Sequence, residues 1–189
     1  DYVVWTLAFR RAGNEFGAVQ QALIADRDKV IAFLKARGFT EAEIEPRPLS
    51  VQDLMARDYA QGNVPLRFNG TSQVLVKSTR VKEVEKAALA VDPLIQAGIQ
   101  LGGEGGFGGP RYQLRGFNDI KAPLLAEATR NAKDQAVKFA AEAGATLGAL
   151  KNANQGAIRI SGDDGSDADD TSSRVKRLRV VSTFEYELK

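Results

Sequence analysis

Residues 2–11, YVVWTLAFRR, decide the fold. Large apolar side chains occupy every second position and fall on one side of an extended chain. Alternation with a period of two is typical of a β-strand, because successive side chains of a strand point to opposite faces. The apolar face consists of Val3, Trp5, Leu7 and Phe9. The sequence therefore predicts a strand that another layer must cover.

A helix follows this strand. Apolar residues recur at helical spacing over residues 16–37, with charged residues between them, and Gly38 ends the pattern. A second helix is predicted to begin near Thr79, with a break or kink at Asp92-Pro93. A third, alanine-rich helix is predicted from Asp119 to Gly144, with Phe139 on its apolar face.

Strands are predicted between these helices and after them. Two prolines, Pro46 and Pro48, favour an extended but interrupted segment over 43–55. In the last strand the apolar and charged residues separate onto opposite faces, with Arg177, Arg179, Glu185 and Glu187 together on one of them. Asn69-Gly70 is predicted to be a turn or a bulge. The remaining predicted strands are 65–79, 111–117, 146–160 and 174–188.

The order of elements is β-α-β-β-α-β-α-β-β. Strands that follow each other directly, at two places, favour antiparallel pairs over a doubly wound parallel sheet. The prediction is an α+β fold: one sheet with antiparallel strand pairs and about three helices packed on it. We expect a single domain over residues 1–189, with Trp5, Phe9, Phe33 and Phe139 in its core.

The composition restricts the chemistry. The chain has no cysteine and no histidine, which removes thiol nucleophiles, thiolate metal sites and imidazole bases. Its 26 basic and 24 acidic residues are close to balance, which argues against a dedicated nucleic-acid binder. No apolar run reaches the length of a membrane span. We therefore expect a protein that is not an enzyme and uses no cofactor.

Two sequence motifs are weak. Residues 103–108 match the spacing GxGxxG, but they follow a helix and precede Pro110, whereas a dinucleotide site follows a strand and opens a helix. The Asp-rich run 163–170 offers oxygen ligands, but it lacks the spacing of a calcium-binding EF-hand loop. We interpret both as loops, and weak cation binding by the Asp-rich run stays open.

Four residues are the candidates for contacts with a partner. Tyr59 and Phe107 are aromatic residues within polar or glycine-rich loops, where an aromatic side chain can anchor a partner. Arg177 and Arg179 belong to a basic cluster that can contact phosphate groups or acidic partner surfaces. The neighbouring Asp-rich run offers a simpler role for that cluster, which is mutual neutralisation.

Three passages, taken in order, resemble the SIMPL domain family of bacterial periplasmic and outer-membrane-associated proteins. They are the strand and helix over 71–99, the helix and strand over 125–150, and the final strand over 175–186. The resemblance implies a location in the periplasm or at the outer membrane, a role in stress tolerance, and in some members large ring-like homo-oligomers. It also implies a further strand and a targeting segment upstream of Asp1. It implies no catalytic or ligand residues.

Three functions are compatible with these observations. The first is an envelope module that works through its surfaces, by self-association or by binding an envelope protein. The alternative is a carrier that binds a small ligand or a cation. A hydrolase that uses carboxylates or a Ser/Lys pair ranks last, because no such pair can be nominated from the sequence.

Overall fold

The computed structural model describes residues 1–56, 65–102, 109–163 and 171–189. Its contacts divide the chain into two compact units, Asp1–Gln113 and Leu114–Lys189. Both units combine helix with antiparallel strands, which confirms the predicted α+β class. The expectation of one domain over residues 1–189 stays a prediction.

The first unit is built around two long central strands. Strand β1 pairs antiparallel with β4, from Val3 opposite Ser78 to Gly13 opposite Phe68. The short strands β2 and β3 continue the sheet beyond β4, and β5 and β6 pair with β1. The elements are β1 (Tyr2–Gly13), α1 (Phe16–Ala36), β2 (Ile44–Pro46), β3 (Ser50–Asp53), β4 (Phe68–Ser78), α2 (Val81–Ala88), α3 (Asp92–Gln96), β5 (Gln100–Leu101) and β6 (Arg111–Gln113).

The core of this unit lies on the apolar face of β1. Trp5, Leu7 and Phe9 are buried against apolar residues of β4 and of helix α1, as the alternation predicts. Phe33 is also in the core, so three of the four predicted core aromatics are confirmed. Burying a side chain of this size stabilises the folded state by roughly 1.5–3 kcal/mol.

A buried ion pair joins α1 to the end of β1. The carboxylate of Asp26 is 1% exposed and accepts two hydrogen bonds from Arg11, at 2.5 Å from Nε and 2.9 Å from Nη2. Such a fork fixes the position of both groups, and removal of Arg11 would leave the buried carboxylate of Asp26 with only the more distant ammonium of Lys29, at 3.9 Å, as a cation among the described residues. The pair therefore sets how α1 crosses the sheet.

Gly70 lies within strand β4, so the predicted turn or bulge at Asn69-Gly70 is wrong. Asn69 and Gly70 pair in regular register with Ala12 and Arg11. A Cβ atom on Gly70 would lie 2.5 Å from Leu23 Cδ1 and 2.8 Å from Val19 Cγ1, both in α1. The glycine is needed because the helix approaches the strand too closely for a side chain.

The second unit is a helix on a hairpin. Helix α4 (Phe117–Glu142) is followed by β7 (Leu147–Gly162) and β8 (Lys176–Leu188), which pair antiparallel. The residues of α4 that face the hairpin form a narrow stripe and are mostly alanines. Within the described part of this unit, Ala140 and Gly162 are the fully buried residues. Phe139 is 73% exposed, so its predicted place in the core is wrong.

The geometry at Gly70 gives a prediction for stability. Gly70→Ala forces Leu23 and Val19 away from the sheet, and we expect the free energy of unfolding to fall by about 1–3 kcal/mol. Urea denaturation would measure it. Gly17→Ala is the matched control, because a Cβ at this position in α1 meets nothing within 4 Å. Equal effects of the two substitutions would contradict the proposed role of Gly70.

Candidate interaction surface

The strongest polar cluster of the first unit surrounds Glu43. Its side chain is 17% exposed and accepts hydrogen bonds from Arg80 at 2.6 Å and from Ser78 Oγ at 2.5 Å. The amide and hydroxyl groups of Thr40 donate to the same carboxylate, at 3.0 and 2.9 Å. These contacts join the loop before β2 to the start of α2.

These hydrogen bonds hold the carboxylate of Glu43 in place, and we call the cluster of Glu43, Arg80, Ser78 and Thr40 the Glu43 clamp. The guanidinium of Arg80, with the donors at Ser78 and Thr40, lowers the pKa of Glu43 from its ordinary value of 4.5 to about 2. General acid–base catalysis works best when the pKa lies near the working pH. A carboxylate that is ionised and held by four donor groups is poorly suited to proton transfer near neutral pH.

Neither a metal cluster nor a spanning helix occurs in the part of the chain that the structure describes. Within it, no three acidic side chains converge as metal ligands would. Within it, too, none of the helices is long and apolar enough to cross a membrane. The Asp-rich run from Asp164 to Asp170 lies outside the described residues, as does the GxGxxG match at 103–108.

The four predicted contact residues fall into two groups. Tyr59 and Phe107 lie outside the described residues. Arg177 and Arg179 are both exposed on β8, on the face that the sequence assigned to charged residues. Burial alternates along β8: even-numbered residues from Lys176 to Tyr186 are half-buried, and odd-numbered residues from Arg177 to Glu185 are exposed. This alternation places the two arginines on the face away from α4. We call this exposed side of the β7–β8 hairpin the outer face.

The outer face brings together arginines that are distant in sequence. Arg179 lies directly opposite Arg159 of β7, and Arg177 lies opposite Ser161. Arg177 reaches Asp163 at 3.4 Å, whereas Arg159 and Arg179 make no ion pair with any described residue. A cavity of about 270 Å³ is lined by this arginine pair together with Ala157 and Val181. Like charges opposite each other on a sheet repel, so this place favours an added acidic group.

A groove runs between α4 and β8, with a volume of about 660 Å³. The helix contributes Glu127 and Asn131 among its lining residues, and the strand contributes five consecutive residues, 178–182. Consecutive residues of a strand point to alternate faces. The groove is therefore bordered by α4 on one side and by residues 178–182 of β8 on the other.

The second unit also exposes many large apolar side chains, which the sequence reasoning missed. The signal was present in the alanine-rich face of α4, because alanines cover little of the opposite sheet. Exposed apolar side chains provide surface that a partner molecule can cover, and removing such surface from water is favourable. In this unit they are Ile120, Val137, Phe139, Leu150, Val175, Val181 and Leu188.

The Glu43 clamp predicts a pH dependence. Because the pKa of Glu43 is lower in the folded state, its contribution to stability is complete above about pH 4.5 and is lost as the pH falls toward about 2. Glu43→Gln should lower the free energy of unfolding at pH 7 by roughly 1–3 kcal/mol. The difference from wild type should shrink as the pH approaches 2.

Urea denaturation from pH 7 down to pH 2 measures both effects. Glu142→Gln, a change of the same type at an exposed residue of α4, is the control and should leave the pH profile unchanged. A constant difference between Glu43→Gln and wild type at every pH would contradict the clamp.

Comparison with known proteins identifies the family. A search of curated proteins finds no match. The family model SIMPL, described as a protein of unknown function (DUF541), matches residues 1–181. The match covers nearly the whole chain, with residues of both units and the first part of β8, and it confirms the resemblance seen in the sequence. The chain therefore belongs to the SIMPL family.

Proposed function

We propose that this protein is a non-enzymatic module of the bacterial cell envelope that acts by self-association or by binding an envelope partner. A contribution to stress tolerance is part of the same proposal, and it rests on the resemblance described above. The carrying observation is the second unit, which has exposed apolar side chains and strand edges with no neighbouring strand among the described residues.

The chemistry of the chain supports a role without catalysis. Cysteine and histidine are absent from the sequence. The best-connected carboxylates of the described residues, Asp26 and Glu43, have their oxygens occupied by donors from within the first unit. Carboxylates held in this way stabilise the fold and are not available for catalysis. We therefore assign the proposed function to the surfaces of the molecule.

Sizing by light scattering tests the self-association. The chain has a mass of 20.4 kDa, and we expect the measured mass to rise above that value as the protein concentration increases. Added salt should weaken the association if ion pairs contribute to it. A mass that stays at 20.4 kDa at every concentration would remove self-association from the proposal.

A small-ligand carrier is the second candidate, and the groove between α4 and β8 favours it. Its volume of about 660 Å³ lies within the usual range for ligand sites, roughly 300–1,000 Å³. The lining combines the polar residues Glu127, Asn131, Arg179 and Ser182 with apolar residues.

A thermal-shift screen of small envelope metabolites, with Ca²⁺ included, tests the carrier. A ligand present at 100 times its Kd should stabilise the folded state by about 2.7 kcal/mol, which would raise the Tm. Ala128→Trp, which places a large side chain in the groove, should abolish the shift for a ligand bound there. Unchanged Tm values throughout the screen would count against this candidate.

A further inference from the structure

The charges of β8 are arranged symmetrically about its centre. Residues 177–187 read RLRVVSTFEYE, and Ser182 is the middle residue. Counting outward from Ser182, each arginine on one side has a glutamate at the same distance on the other side. Apolar residues match apolar residues in the same way: Val180 with Phe184, and Leu178 with Tyr186.

One edge of β8 has no paired strand among the described residues. In the second unit β8 pairs with β7 along one edge, and no described residue pairs with its other edge. An unpaired strand edge presents backbone donors and acceptors that a strand of another chain can satisfy.

We propose that β8 pairs antiparallel with β8 of a second copy of this chain, with a two-fold axis at Ser182. The two hairpins then form a four-stranded sheet in the order β7-β8-β8-β7. This inference rests on the proposed self-association, and it names the partner and the contact surface.

The register follows from the two-fold axis. Arg179 lies opposite Glu185 of the second copy, and Arg177 lies opposite Glu187 of the second copy. Directly opposite residues in an antiparallel pair share one face of the sheet, so these charges meet on the outer face. On the other face Val180 meets Phe184 of the second copy. Ser182 lies opposite its own equivalent.

Other registers match the charges less well. A slip of two residues leaves one arginine–glutamate pair in each half where the central register has two. A slip of one residue brings odd-numbered residues opposite even-numbered residues, so the charged face of one β8 meets the apolar face of the other. Parallel pairing in register places arginine against arginine and glutamate against glutamate. The central antiparallel register is therefore the one that the charges select.

We call the contact between Arg179 and Glu185 of the second copy the central pair. It also supplies an opposite charge at a place where each hairpin alone has two arginines facing each other. Arg179 lies opposite Arg159 and makes no ion pair with any described residue, and Glu185 lies opposite the uncharged Asn152. The second copy supplies an acid to the arginine pair. The outer pair contributes less, because Arg177 already contacts Asp163 and Glu187 already contacts Lys151 at 3.5 Å.

Charge reversal at the central pair tests the proposal. Arg179→Glu and Glu185→Arg each turn two attractive contacts of the dimer into repulsive ones, and each should weaken the dimer at least about tenfold. The double variant Arg179→Glu/Glu185→Arg should restore it. Lys82→Glu, a change of the same charge on the exposed side of α2, is the control and should leave the dimer unchanged.

Mixing the two single variants gives a sharper readout. Each alone repels its own copy, but Arg179→Glu and Glu185→Arg complement each other at both central contacts. Sedimentation velocity should show a dimer in the equimolar mixture at concentrations where each variant alone is monomeric. The result also shows that both variants are folded.

A cysteine at the axis tests the register directly. Since the natural chain has no cysteine, Ser182→Cys introduces a single thiol. Opposite residues of an antiparallel pair lie about 4.5–5.5 Å apart between Cα atoms, within the range that a disulfide spans. Mild oxidation should give a covalent dimer. Ser161→Cys on β7 is one strand further from the axis and should stay largely monomeric.

The outcomes separate the two proposals. If the wild-type chain is monomeric at every concentration, self-association fails and this inference fails with it. If the wild-type chain associates but charge reversal, mixing and Ser182→Cys have no effect, self-association stands and the β8 pairing is wrong. Association weakened by each single change and recovered in the mixture supports both.

Discussion

The antiparallel pairing of β1 with β4 is the interaction on which the first unit depends. It provides the continuous apolar face that α1 covers, and the short strands of the sheet pair with one or other of these two strands. Gly70 allows the helix to approach that face, and the fork between Arg11 and Asp26 fixes its position. Each of these contacts is useful only while the β1–β4 pair exists.

The second unit follows a different rule. Its helix meets the hairpin through alanines, and most of its large apolar side chains are partly or largely exposed. A two-stranded sheet is marginal alone, because two strands bury little surface. Burial of more apolar surface would therefore add more to the stability of this unit than to that of the first unit, where the apolar face of the sheet is already covered. A partner that covered this surface would also stabilise the unit.

The sequence was most informative where one face of an element is fully buried. Strand β1 and helix α1 were predicted closely, since burial imposes a clear period on their residues. The two faces of β8 were also predicted, because its charged and apolar residues alternate. Asn69-Gly70 misled because this dipeptide is a strong local turn signal, whereas close packing of α1 requires the glycine.

The rest of the candidate site depends on information that spacing does not carry. That Arg159 faces Arg179 follows from the register of β7 on β8, and this register includes irregular steps between Leu147 and Ile158. Phe139 was placed in the core because it follows the apolar spacing of its helix. The hairpin beneath that helix has only two strands, so a side chain at the border of the apolar face of the helix extends beyond the hairpin and is exposed to solvent.

The edge of β8 that pairs with no described strand has a consequence for misassembly. Fibrils of the cross-β type most often stack identical segments parallel and in register, which brings each side chain onto its own equivalent in the next molecule. In β8 that stacking would build columns of arginine and columns of glutamate with a repeat of about 4.7–4.8 Å, which is shorter than the Debye length, so like charges would repel along the fibril. The charge order that would suit antiparallel pairing of two copies therefore disfavours unlimited parallel stacking.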